Sequence, residues 1–176
     1  MFNLARVHEA IAAAIPEREC IVQGDRRYAW ADVTDRTRRL ADVFRRHGLG
    51  CRRERAGLEN WESGQDHVGL YLYNGHEYLE GMLGAFKARL APFKVNYADA
   101  RALVYHAAFA PTLARVREKL PKVALWLQVD DGSGEPLLEG ALDYEQALAS
   151  ATPREPEGLS PDDLYILYTG GTTGMP

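Results

Sequence analysis

An α/β fold, a mainly parallel sheet flanked by helices, is predicted by three observations. Segments of helical period alternate with short apolar runs along the chain. The central run, Val68-Gly69-Leu70-Tyr71-Leu72-Tyr73, is continuously apolar, as in strands covered on both faces. The 176 residues, 46% hydrophobic and 26% charged, are enough to bury one core.

The elements follow in order. Asn3 is placed to cap a first helix with Leu4, Val7, Ile11 and Ile15 on one face, stopped at Pro16. Cys20-Ile21-Val22 leads through a Gly24-Asp25 turn into Arg27-Tyr28-Ala29-Trp30. A second helix carries Val33, Thr37, Leu40, Ala41 and Phe44 on one stripe and ends at Gly48. Its other face, with Arg36, Arg38, Arg39, Arg45 and Arg46 followed by Arg52, Arg53 and Arg55, reads as a solvated face partly balanced by Asp32, Asp35, Asp42 and Glu54. Residues 50–66 form a polar surface excursion around Trp61. After the strand at 68–73, Asn74-Gly75 opens a helix with Tyr78, Leu79, Met82, Leu83 and Phe86 inward, and with Glu77 and Glu80 as surface carboxylates. Further strands are expected at 102–105 and 123–129, with helices at 111–120 and 143–149, before a proline-bearing stretch at 152–161.

Composition excludes several function classes. A net charge of −4 argues against nucleic acid as a partner, since neutralising phosphates needs a basic surface. No apolar run has signal-peptide or transmembrane length. Cys20 and Cys51 make neither a disulfide framework nor a metal-ligand cluster, so a reducing, cytoplasmic setting is expected. His8, His47, His67, His76 and His106 lack zinc-site spacing, and no metal site is expected. No Gly-x-Ser-x-Gly elbow is present, and the Gly132 and Gly134 turn lacks the third glycine of a dinucleotide fingerprint.

The chemistry is concentrated at the end of the sequence, where the apolar run Leu164-Tyr165-Ile166-Leu167 enters Tyr168-Thr169-Gly170-Gly171-Thr172-Thr173-Gly174-Met175-Pro176. Three glycines let the backbone approach a ligand closely, and amide hydrogens with the Thr169, Thr172 and Thr173 hydroxyls supply donors for anionic oxygens. A Walker A loop is excluded: five positions after Gly170 stands Met175, after Gly171 stands Pro176, and no lysine follows.

This loop resembles the phosphate-binding loop of the adenylate-forming (AMP-binding) superfamily, Tyr-Thr-Ser-Gly-Thr-Thr-Gly-x-Pro, with Gly170 in place of the serine. The Gly-Gly form is similar to that of some fatty-acyl and steroid-acyl CoA synthetases. Ser160-Pro161-Asp162-Asp163-Leu164 is similar to the family's lead-in, and the succession from Val68 to Ala88 to its early core. The resemblance implies the N-terminal portion of the large AMP-binding domain over residues 1–176. Its parent would activate a carboxylic acid with Mg-ATP and pass the acyl group to CoA, with long-chain or steroid-derived acids favoured. ATP, Mg2+ and CoA are the implied cofactors. Thr169, Gly170, Gly171, Thr172, Thr173 and Gly174 would cradle the β and γ phosphates, with the catalytic residues downstream of Pro176. The isolated piece would be inactive, and its uncovered parallel strands would favour association into a homo-oligomer.

One family feature is broken. Val95-Asn96-Tyr97 runs directly into Ala98-Asp99-Ala100-Arg101, where the resemblance calls for a further helix, so a missing segment is expected after Tyr97. Two other readings stay open: a non-catalytic nucleotide-binding remnant and an interaction domain.

Overall fold

The computed structural model of the chain describes residues 2–94 and 99–166. Helix α1 (Leu4–Ala14) starts where its cap is expected, since Asn3 Oδ1 accepts from the N–H groups of Ala5 and Arg6 at 3.0 and 3.3 Å. The face it buries is not the apolar stripe. Ala5, His8 and Ala12 are buried, whereas Leu4, Val7, Ile11 and Ile15 stay 36–42% exposed. Small side chains let the helix lie close on α2 (Trp30–Arg46) and α3 (His76–Lys87), which turns the larger ones outward.

Strands β1 (Glu19–Gln23) and β2 (Arg26–Ala29) form an antiparallel hairpin, and Gly24 takes φ +57 in its turn. Helix α2 buries Val33, Thr37, Leu40, Ala41 and Phe44, as the stripe predicts, and Gly48 ends it at φ +70. The excursion at 50–66 holds one 3-10 turn, Arg55–Gly57, and leaves Trp61 83% exposed.

The main sheet contains β3 (His67–Tyr71), β4 (Ala91–Lys94), β5 (Ala100–His106), β6 (Leu125–Val129) and β7 (Leu142–Asp143). Its order is β4-β3-β5-β6-β7 and every pairing is parallel. Val68, Leu70, Ala102, Val104, Leu125 and Leu127 pack toward α2, α3 and α5 (Tyr144–Ser150). Leu103, Tyr105 and Trp126 form the other face with Ala110 and Leu113 of α4 (Ala110–Val116). The helix expected at 111–120 therefore divides, its last turn tightening to 3-10 at Arg117–Lys119.

Two strands escape the sequence pattern. β7 is only two residues long. β4 contains Pro92, which argues against a central strand. The Pro92 carbonyl faces away from β3 and accepts from Ile166 N–H at 3.3 Å, so the missing N–H falls on that outer side and leaves the β3 ladder intact. Leu79, placed inward by the pattern, is 43% exposed.

Only residues 95–99 separate β4 from β5. Ala91 and Ala100 both pair with His67, and Lys94 pairs with Leu70, so Lys94 and Ala100 lie at different levels on opposite sides of β3. Three residues of rise and two strand spacings put these ends roughly 14 Å apart. Six residue steps of fully extended chain can reach about 20 Å. Parallel crossovers normally use a dozen residues or more, because they carry a helix.

Helix α3 approaches α2 at Gly84, where an added Cβ would stand 2.7 Å from Leu40 Cδ2 and 3.0 Å from its Cβ. Leu40 is fully buried and cannot swing away into solvent. Gly84→Val is expected to lower unfolding stability by about 1–3 kcal/mol, read as a fall in the urea midpoint at constant slope. An unchanged midpoint would show that the two helices separate freely.

Candidate functional site

The residues singled out for phosphate binding, Thr169, Gly170, Gly171, Thr172, Thr173 and Gly174, lie outside the described residues. The segment that delivers them is described as far as Ile166. Ile166 bridges Phe93 in parallel, so the chain there runs in the direction of the sheet strands, toward their carboxyl ends. Ligands of open α/β sheets bind at that edge.

Asp163 fixes this approach. Its Oδ2 accepts from the Ser160 N–H at 3.1 Å and from Asn3 Nδ2 at 3.1 Å. Its Oδ1 accepts from Nε and Nη2 of Arg89, both at 3.0 Å. Asn3 Nδ2 also donates to the Ser160 carbonyl at 2.6 Å, so the residue that caps α1 holds the lead-in as well. Leu164 N–H donates to Gln65 Oε1 at 2.6 Å, and the Tyr165 ring stands edge-on to Phe86 at 5.8 Å. The Arg89 guanidinium reaches Glu54 with two further bonds of 2.7 and 2.8 Å, and Glu54, ahead of Asp163, holds its pKa above the ordinary arginine value. Sequence reasoning named Asp163 only as part of a motif and did not find Arg89; a carboxylate in a lead-in segment carries no local sign of a partner 74 positions away.

A second feature stands at the same edge. The strand order reverses direction between β3 and β5, and outside their carboxyl ends Tyr73 N–H donates to His106 Nδ1 at 3.0 Å. That bond places the imidazole proton on Nε2, and burial lowers the His106 pKa. Phe109 stacks on Tyr71 at 4.0 Å and tilts against Tyr73 at 4.8 Å. Beside them, Tyr28 stacks on His76 at 4.6 Å.

The acidic and basic residues of the helical layer correct two expectations. Glu77 and Glu80 are buried rather than on the surface. Glu80 accepts from Arg36 Nε at 2.6 Å and Nη2 at 3.0 Å and from the Tyr144 hydroxyl at 2.8 Å, which satisfies a carboxylate that α3 turns inward. The arginine face of α2 is not simply solvated. Arg36 also holds Glu145, Arg38 holds Glu9, Arg39 holds Asp35 and the Ala151 carbonyl, and Arg46 holds Asp42. These guanidinium groups serve the fold.

Lys87, fully buried, donates to Thr37 Oγ1 and ion-pairs with Glu9, both at 2.7 Å. Burial pushes its pKa down to about 8 against these favourable contacts. His8 packs its ring against Trp30 at 5.3 Å with no hydrogen-bond partner on either nitrogen, and burial followed by Lys87 lowers its pKa to about 4. Burial would raise Glu9, but Arg38 and Lys87 together hold it below its ordinary value. Among the described residues no group of three or more His, Cys, Asp or Glu can hold a metal ion, and no helix is long and apolar enough to cross a membrane.

Comparison with known proteins adds the following. The family model described as AMP-binding enzyme matches residues 8–176. A medium-chain acyl-CoA ligase, Mig, of Mycobacterium avium is 51% identical over 189 aligned residues, covering 99% of this chain and 34% of the relative. A 3-oxocholest-4-en-26-oate–CoA ligase of Rhodococcus rhodochrous is 33% identical over 189 residues, covering 99% and 32%. The chain thus spans about a third of the length of these relatives, and each alignment is longer than its 176 residues by at least 13 positions, the difference from 189. Among solved structures, the anthranilate CoA ligase AuaEII with anthranoyl-AMP superposes with TM-score 0.81 at 18% identity, over 98% of this chain and 33% of that one. The inhibitor-bound N-terminal domain of FACL13 from Mycobacterium tuberculosis gives 0.77 at 23%, over 99% and 42%. At these identities the superpositions establish the fold: helices around a parallel sheet, as the sequence predicts.

Acid should loosen α1, whose cap holds the lead-in. Between pH 6.5 and about 4 the unfolded chain protonates His8 while the folded chain does not, so stability falls as pH drops through that window. Glu9 adds a loss that begins near 4.5 and completes as pH falls through its lower folded value. In a pH series of thermal melts, His8→Leu is expected to flatten the first decline and keep the second. An unaltered slope between 6.5 and 4 would refute the role given to His8.

Proposed function

The chain belongs to the AMP-binding enzyme family, and we propose that it is the N-terminal portion of an acyl-CoA synthetase. The observation that carries this reading is the loop from Tyr168 to Pro176, met directly after an apolar run and inside a family match that spans residues 8–176. In the full-length parent, a carboxylate attacks the α-phosphorus of ATP, the bond to the bridging oxygen breaks, and pyrophosphate leaves from an acyl-adenylate. The CoA thiol then attacks the acyl carbon, AMP departs, and a thioester remains.

In that scheme the amides of Gly170, Gly171 and Gly174 and the hydroxyls of Thr169, Thr172 and Thr173 receive the charge that develops on the departing pyrophosphate. Magnesium, where it accompanies ATP, is assigned no ligand among the described residues. The names of the relatives support an acid of medium or greater chain length, steroid-derived acids included.

The same reading includes a segment absent between Tyr97 and Ala98. It is supported by the five-residue crossover and by the surplus aligned positions. Right-handed crossovers put α3 on one face for the step from β3 to β4 and α4 on the other for the opposite step from β5 to β6. A helix between β4 and β5 therefore belongs on the face of Leu103. At the strands' amino ends a cleft of about 570 Å³, lined by Trp61, His67, Arg101 and Lys122, leaves room beside it. The short crossover also favours a second reading, a non-catalytic remnant, which the native gene across Tyr97–Ala98 and beyond Pro176 would distinguish.

The full-length protein is expected to release pyrophosphate from ATP only when a medium-chain, long-chain or steroid acid is supplied. Silence across such a panel with folded enzyme would sink the synthetase reading. Thr172→Ala should slow single-turnover adenylation roughly a hundredfold, about 3 kcal/mol. Thioester formation from pre-made adenylate should be unchanged, and a loss confined to the CoA step would remove the loop from the phosphate site.

A further inference from the structure

Arg89 adopts φ 58, a left-handed conformation that non-glycine residues rarely take. It occupies the turn that ends α3, where Arg89 N–H donates to the Phe86 carbonyl at 3.1 Å and Leu90 N–H to the Ala85 carbonyl at 2.8 Å. Glycine is the residue favoured at such a position. The side chain that glycine would lack is here engaged with both donors on Asp163 and both on Glu54, and its own side chain is only 15% exposed.

We infer that Arg89 is a positioning residue for the phosphate loop, an inference that rests on the synthetase reading. The described segment from Asp163 to Ile166 is four residues long, and its register is set at three points: Asp163 on Arg89 and Asn3, Leu164 on Gln65, and Ile166 on Pro92. Of these, Arg89 is the only charged anchor and the only one on a strained backbone. It also ties the lead-in to Glu54 of the excursion at 50–66, so four separate stretches of chain converge on the loop's entrance: the α1 cap, the excursion, the end of α3 and the lead-in. A loop whose work is to place backbone amides against phosphate oxygens depends on the position of its entrance, since small misplacements are costly in rate.

Arg89→Gly separates position from stability, because glycine takes the left-handed turn without strain while the guanidinium contacts are lost. In the full-length protein this variant is expected to keep its cooperative thermal transition. The amides of Leu164 and Ile166 should exchange faster with deuterium. Acyl-adenylate formation should slow roughly ten- to a hundredfold, while thioester formation from pre-made adenylate stays unchanged. Arg89→Lys, which keeps the charge without the two-pronged geometry, should recover part of the rate. Unaltered adenylation in Arg89→Gly, unaltered exchange at 164 and 166, or an equal loss in both half-reactions would each overturn the inference. A wild-type protein that releases no pyrophosphate would refute the synthetase reading instead, and the exchange rates would then decide the anchoring role alone.

Discussion

Arg36 reaches across the helical layer from α2 to Glu80 of α3 with two N–H donors and to Glu145 at the start of α5 with two more. The closing of that layer over the sheet depends on this contact. A parallel sheet needs cover on both faces, and α2, α3 and α5 supply it on one. Glu80 is fully buried among them, and an uncompensated charge there would cost several kcal/mol. The neighbouring contacts repeat the pattern: Arg38 meets Glu9 of α1, and Arg45 and Arg46 cap carbonyls of Lys87 and Ser150. Buried pairs of this kind add little net stability over apolar packing, but they penalise wrong arrangements heavily. Their effect is to fix which helix face meets which.

This is why the same features were hard to read in advance. An arginine on an amphipathic helix has the same periodicity whether its partner is water or Glu80, and only the tertiary fold supplies the carboxylate 44 positions away. The α1 stripe of Leu4, Val7, Ile11 and Ile15 shows the same limit. Periodicity locates a helix, yet Ala5, His8 and Ala12 set which side is buried, because close approach to α2 and α3 favours small residues. Strand β4 was hidden by Pro92 for a local reason that the outer bridge to Ile166 removes. By contrast the α/β class, the α2 stripe and the caps at Asn3 and Gly48 were legible, since each rests on contacts within a few residues.

The candidate site divides along the same line. Its glycines and threonines are a local pattern, readable as far as phosphate chemistry and, by resemblance, as far as a family. Nothing local marks Arg89, Gln65 or Asn3 as supports of its entrance, for they lie 74, 99 and 160 residues from their partners Asp163, Leu164 and Asp163. The site's chemistry is written in one stretch and its rigidity in several others.

The backbone at Arg89 joins these two levels. A left-handed non-glycine residue costs of order 1–3 kcal/mol and persists where surrounding structure over-determines it. Here the surroundings are identified: the turn bonds to Phe86 and Ala85 behind it, and Asp163 and Glu54 ahead. Glycine would satisfy the turn equally well and spare the strain, so the turn alone does not explain arginine. The carboxylates do, and one of them stands three residues before Ile166, where the chain joins the sheet beside β4. Strain at the end of α3 is thereby coupled to the placement of the lead-in, which links the packing of the helical layer to the edge where the sheet presents its ligand-binding loops.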